Sequence, residues 1–288
     1  MRRLDFSFPG GVNDTQLDAF VWYLLPTMVT VPPLGIPANA LVIRLLLGKP
    51  GIGSTSEAFT LSLALFDQLF CCAVLTEYVV FLFLRTPQTA NFLSWGLNQV
   101  GGPLLLCLLT LDSYLAVCRP LLFLQLKEPK LRPLLCVAVG VATALCCGLV
   151  KISSKYKWSA IMALLCTVIA VISCCSVRIL RSLLQSGPGR KELHPAKRRA
   201  FKLVLTALVM VLVHYLPPVV EYLLRQHLSY FNPFSVLTSI NYTFLSWGSV
   251  TQPLSYLIRT KQLPGAPRTG SPPGGATGAT QRRKEIGV

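Results

Sequence analysis

Seven stretches of this chain are apolar and long enough to cross a lipid bilayer as helices, and nothing else in the sequence restricts its fold as much. They cover residues 20–47, 58–84, 92–118, 134–150, 159–184, 201–224 and 234–258. A hydrocarbon core about 30 Å thick takes roughly 20 residues of helix, because every backbone amide must be satisfied within the segment. The fourth stretch is the shortest, and Asn98, Gln99, Gly101 and Gly102 interrupt the third. The expected fold is an all-α membrane protein, a seven-transmembrane-helix bundle.

Charge sets the direction. Only 13% of residues are charged, where soluble domains carry about a quarter, yet the net charge is +16. Lys and Arg are retained in the cytoplasm, and twenty of the 27 fall in the segments that an N-outside chain leaves there. The N-terminus is therefore expected outside and the C-terminus in the cytoplasm, which requires an odd number of crossings. Residues 1–19 form an extracellular N-terminus, 20–258 the transmembrane domain, and 259–288 a basic cytoplasmic tail. That tail is rich in Pro, Gly, Ser and Thr, cannot bury a core and is expected to be disordered. Basic residues placed this way suit membrane lipid and not nucleic acid. The expected location is the plasma membrane, multi-pass. Asn13 heads an Asn-x-Thr sequon in the extracellular segment and is a glycosylation candidate, whereas the sequon at Asn241 lies inside the seventh stretch, out of reach.

All ten cysteines fall inside or at the edges of apolar runs, so they read as small buried hydrophobes and not as a disulfide or metal framework. No catalytic constellation stands out, and neither enzyme activity nor a cofactor is expected. The residues that carry chemistry are polar ones within the spans. An ionised Asp67 in mid-bilayer costs at least ~2.5 kcal/mol, so it is expected to face the bundle interior. Trp95, Asn98, Gln99, His214, Glu77 and Glu221 lie towards the outer half, and as polar groups that avoid lipid they are candidates for lining a ligand pocket. Glu221 also precedes Arg225 by four residues, the spacing of a helix-surface ion pair, and His214 also suits an interhelical hydrogen bond. Pro217 and Pro253 each remove a backbone hydrogen bond, which makes them hinge points.

Several motifs follow one another along the spans. The first reads LGIPANALVI around Asn39, the second LSLALFD ending in Asp67, and the third LDSYLAVCRPL from Leu111 to Leu121. The sixth contains HYLPP and the seventh QPLSY. In this order and register they resemble the rhodopsin-like (class A) G-protein-coupled receptors. The first span is most similar to the branch holding nucleotide, protease-activated and fatty-acid receptors. The resemblance implies a receptor that binds an extracellular ligand and activates a heterotrimeric G protein. It implies an activation machinery at Asp112, Ser113, Tyr114, Tyr215, Pro217, Gln252, Pro253 and Tyr256, a G-protein contact at Leu121, and a sodium site at Asp67 with Asn39 and Ser249.

The chain also departs from that pattern. Ser113 stands where the family has an Arg that locks the resting state and contacts the G protein, and a Ser has neither the charge nor the reach. Tyr215 replaces a Trp, Gln252 an Asn, and Gly102 a sodium-coordinating side chain. No Cys stands at the top of the third span to brace the outer face. Ser113 weighs against efficient coupling, so a receptor-fold protein acting as a decoy or dimer partner is an alternative. A small ion transporter or channel lined by Asp67, Glu77 and Glu221 is another.

Overall fold

A computed structural model describes residues 25–48, 55–84, 94, 96–125, 131–152, 157–184, 195–227 and 236–260. The glycosylation candidate Asn13, the pocket candidate Trp95 and the tail from residue 261 lie outside the described residues. The described residues form eight α-helices and one π-helical turn, with no strand among them. These are α1 (Leu25–Leu47), α2 (Thr55–Leu84), the π-turn (Leu97–Gly101) running into α3 (Gly102–Cys118), the short α4 (Pro120–Gln125), α5 (Leu131–Ile152), α6 (Lys157–Leu184), α7 (Pro195–His227) and α8 (Val236–Thr260).

Among the described residues, six segments are long and apolar enough to cross a membrane: Leu25–Leu47, Ser56–Val80, Leu97–Cys118, Leu131–Gly148, Ser159–Ser182 and Phe201–Leu224. Their outward surface is what lipid demands. On α7, Leu205, Val209, Leu212, Leu216, Val220 and Leu223 form an exposed apolar stripe, which in water would be a severe aggregation liability. The buried positions, by contrast, include Asn39, Asp67, Asn98, Gln99, His214 and Glu221. Apolar outside and polar within is the pattern of a multi-pass helical membrane protein, and this chain is one.

The seventh predicted span coincides with α8, which is 25 residues long but more polar than the other six. Its polar residues have a direction. Asn241, Ser246, Ser249 and Gln252 are buried, while Ile240, Phe244, Leu254 and Ile258 are exposed. Packing explains why these residues remain helical: α8 lies against α1, α2 and α7. The remaining neighbours are α1 with α2, α6 with α7, and α3 with α2, α6 and α7, so α3 is central. Its core holds Leu105 and Leu106 against Leu165, Ile172 and Val211. α5 is peripheral, touching mainly α2 and the π-turn.

The polar interruption of the third stretch turns out to be a widened turn, not a break: the Gly102 amide donates to the Leu97 carbonyl, five residues back. Pro103 supplies a cause. Its ring lacks an N–H and would collide with the carbonyl four residues earlier, at Gln99, and one extra residue per turn relieves the collision. Gly101 is required at that turn for a second reason. A Cβ there would lie 2.5 Å from the Phe66 ring and 3.2 Å from Thr143 Oγ1, so α2 and α5 pack directly on bare backbone.

Hydroxyls facing an apolar medium close on their own helices. Thr110 donates to the Leu106 carbonyl, Thr143 to Val139 and Ser176 to Ile172, at 2.7–2.8 Å. The cysteines need one correction. Only Cys71 and Cys175 are buried in the bundle, whereas Cys72, Cys166 and Cys174 face outward. A thiol is apolar enough that lipid serves as its burial.

Candidate functional site: a buried polar centre

Residues from distant parts of the chain meet at mid-bundle. Asn39 Nδ2 on α1 donates 3.0 Å hydrogen bonds to the Gly35 carbonyl of its own helix and to the Ser249 carbonyl of α8. The Ser249 hydroxyl faces the Asp67 carboxyl from α2. Tyr215, fully buried on α7, directs its hydroxyl towards Gln252 and the Asp67 side. That hydroxyl also donates a 3.4 Å bond to the Asn98 carbonyl of the π-turn. Gly102 makes room for it, since a Cβ at that position would stand 3.1 Å from the Tyr215 oxygen. The small residue on α3 thus leaves the space that the tyrosine hydroxyl fills.

Asn39 Oδ1, Asp67 Oδ2, Ser249 Oγ and Gln252 Oε1 are buried without a hydrogen-bond partner. Unpaired buried oxygens are costly, and acceptors outnumber donors here. A carboxylate with neutral oxygens suits a hard monovalent cation, so the residues present fit sodium, with Gly102 adding no ligand. Such an ion would be held by Asp67 with Asn39 and Ser249, and would supply a positive charge opposite the carboxylate. Sodium chloride in place of choline chloride is then expected to stabilise the native chain by about 1–2 kcal/mol at tenfold excess over its dissociation constant. The readout is the melting temperature in detergent. Equal shifts for native protein and Asp67→Asn would exclude the site.

The pocket candidates divide into separate contacts. Glu77 accepts a 2.8 Å bond from Ser94, and Tyr242 of α8 lies beside it. Glu221 is only 8% exposed and accepts a bond from Asn241 Nδ2, which places it against α8. The side chain of Arg225 is outside the described residues. His214 bridges α7 to α8: Nδ1 is 2.6 Å from the Phe244 carbonyl and Nε2 2.9 Å from Thr251 Oγ1. A carbonyl only accepts, so Nδ1 carries a proton, and this histidine is an interhelical hydrogen bonder. Asn98 Nδ2 and Gln99 Oε1 are buried without partners.

At the far end of the bundle Ser113 is 6% exposed and donates to the Leu109 carbonyl of its own helix at 2.9 Å. Tyr114 packs with Ile179 and Val204 of α6 and α7. Asp112 pairs with Arg132 at the start of α5, an ion pair 3.7 Å long. On α4, Leu121 is 77% exposed. Pro217 lies within α7 and Pro253 within α8. A cavity of about 40 Å³, room for water but not for an organic ligand, lies between α2, α3, α7 and α8 and is lined by Thr60, Leu109, Thr206, Gln252, Tyr256 and Arg259 among others.

Sequence reasoning missed Asn241, noticed only as an unusable sequon, and Arg132, counted only as an inner positive charge. Their signal was weak: an Asn in a span needs a partner, but nothing local says which. Comparison of the chain with protein-family models and with curated proteins returns no match.

Proposed function

We propose that the chain is a seven-span receptor of rhodopsin-like type, N-terminus outside and C-terminus in the cytoplasm, which passes an extracellular ligand signal to a heterotrimeric G protein. α8 is the seventh crossing in this reading. At 25 residues it reaches about 37 Å, enough for the hydrocarbon core, and its polar face is turned inward. The observation that carries the reading is the convergence of Asn39, Asp67, Tyr215, Ser249 and Gln252 in one buried centre, because four of them, all but Ser249, belong to separate motifs that follow one another along the chain. The extracellular ligand is taken up in the outer half, near Glu77, Asn98 and Glu221. Leu121 on α4 is the exposed apolar contact offered to the G protein.

A second reading, a receptor fold with little or no coupling, is favoured by Ser113, whose hydroxyl is spent on its own helix. The test is guanine-nucleotide exchange by a panel of purified G proteins added to the chain in lipid nanodiscs. Exchange above that of empty nanodiscs is expected, with loss to the empty-disc level for Leu121→Asp. Native protein indistinguishable from empty nanodiscs across the panel would leave the second reading standing in place of the first.

A further inference from the structure

α4 has six residues, and a free helix of that length is not stable in water. Leu121 and Leu122 are both exposed, so burial of these large side chains does not hold it in place. Its backbone continues the end of α3, with the Arg119 amide bonded to the Leu115 carbonyl and the Phe123 amide to the Arg119 carbonyl. The other grip comes from Arg132. The guanidinium carbon lies 5.7 Å from the centroid of the Phe123 ring, within cation–π range. The same guanidinium pairs with Asp112 on α3, and both side chains are only 12% exposed. One planar cation from α5 therefore spans the corner, with the α3 carboxylate at its edge and the α4 ring beside its carbon.

We propose that Arg132 is a positioning residue. By bridging Asp112 and Phe123 it orders α4 and so fixes the pose of Leu121. The assignment gives Asp112 a counter-charge from outside its own helix, which Ser113 does not provide. Its consequence for coupling rests on the reading of Leu121 as a G-protein contact, but the ordering of α4 does not.

The test is hydrogen–deuterium exchange of the full chain in nanodiscs, followed over residues 120–125. Arg132→Gln is expected to speed exchange there by at least about tenfold, leaving the α3 interior around Leu105 unchanged. Asp112→Asn is expected to act in the same direction, because the guanidinium loses its anchor. Arg132→Lys keeps the charge but loses the planar group, and is expected to fall between native and Arg132→Gln. Phe123→Leu removes the ring without leaving a charge unpaired, and serves if Arg132→Gln does not fold. Unchanged exchange over 120–125 in Arg132→Gln, or in Phe123→Leu where that substitute is used, overturns the proposal whatever the native chain does to a G protein. Faster exchange in a chain that activates none of the G proteins supports the role of Arg132 and counts against the receptor reading alone.

Discussion

Leucine at Gly101 is expected to leave no folded protein that survives detergent extraction, and alanine to lower the melting temperature by roughly 5–10 °C. The reason is where the side chain would go. A Cβ built on Gly101 falls 2.5 Å from the Phe66 ring and close to Thr143, so even one methyl must displace an aromatic ring already wedged between helices. Overpacking of this kind costs about 1–3 kcal/mol, and in a chain of this size each kcal/mol shifts the transition by about 2–4 °C. Leucine adds three further carbons at a point where α2, the π-turn and α5 meet, with nowhere for them to go. Phe66→Leu in the Gly101→Ala background opens the space and is expected to recover most of the loss. The measurement is a thermal melt followed by thiol reactivity of the buried Cys71 and Cys175. A Gly101→Ala melt within a degree or so of the native one would show that the helices part easily there, and the close packing would carry no weight.

That contact also shows what could be read from the chain alone. The spans were legible because hydropathy acts over some twenty residues at a time, and six of the seven predicted stretches coincide with long apolar helices. α8 was legible as a helix, yet its composition says less than its arrangement: polar and apolar residues on opposite faces become meaningful once α1 and α7 are known to flank it. The π-turn was not legible. Pro103 could have kinked or ended the helix as readily as widened it, and the choice depends on what packs against Gly101.

Pairings between helices were the least legible. Glu221 on the buried face of α7 meets Asn241, twenty residues away on α8, a contact that no local spacing signals. The Arg132 guanidinium meets Asp112 across two helices, a pairing that no local pattern in the sequence signals. Conversely, Asn39 and Asp67 could be singled out early, since a carboxylate or amide in an apolar span has few tolerable surroundings.

On the proposed receptor reading, arginine at Ser113 is expected to raise guanine-nucleotide exchange on a G protein roughly ten- to hundredfold over the native chain, which follows from one charge-assisted hydrogen bond of about 1.5–3 kcal/mol. Ser113 continues the α3 face that carries Leu106 and Leu109, both of which line the cavity between α2, α3, α7 and α8. Serine ends short of that space and satisfies itself on the Leu109 carbonyl. A guanidinium at the same position reaches towards the opening, where it can donate to carbonyls of a docked partner. It also meets Arg259 at the cavity lining and finds Asp112 already engaged by Arg132, so the resting state gains little from it. The same variant should melt below the native protein, because a cation at a site only 6% exposed has lost hydration without a partner. Lower stability together with higher exchange is the signature of a group whose bond forms only in the complex. Ser113→Lys, with a point charge in place of the fork, should gain less, and Ser113→Ala should match the native chain. Equal exchange from the native chain and Ser113→Arg would mean that coupling in this bundle does not pass through the end of α3 at all.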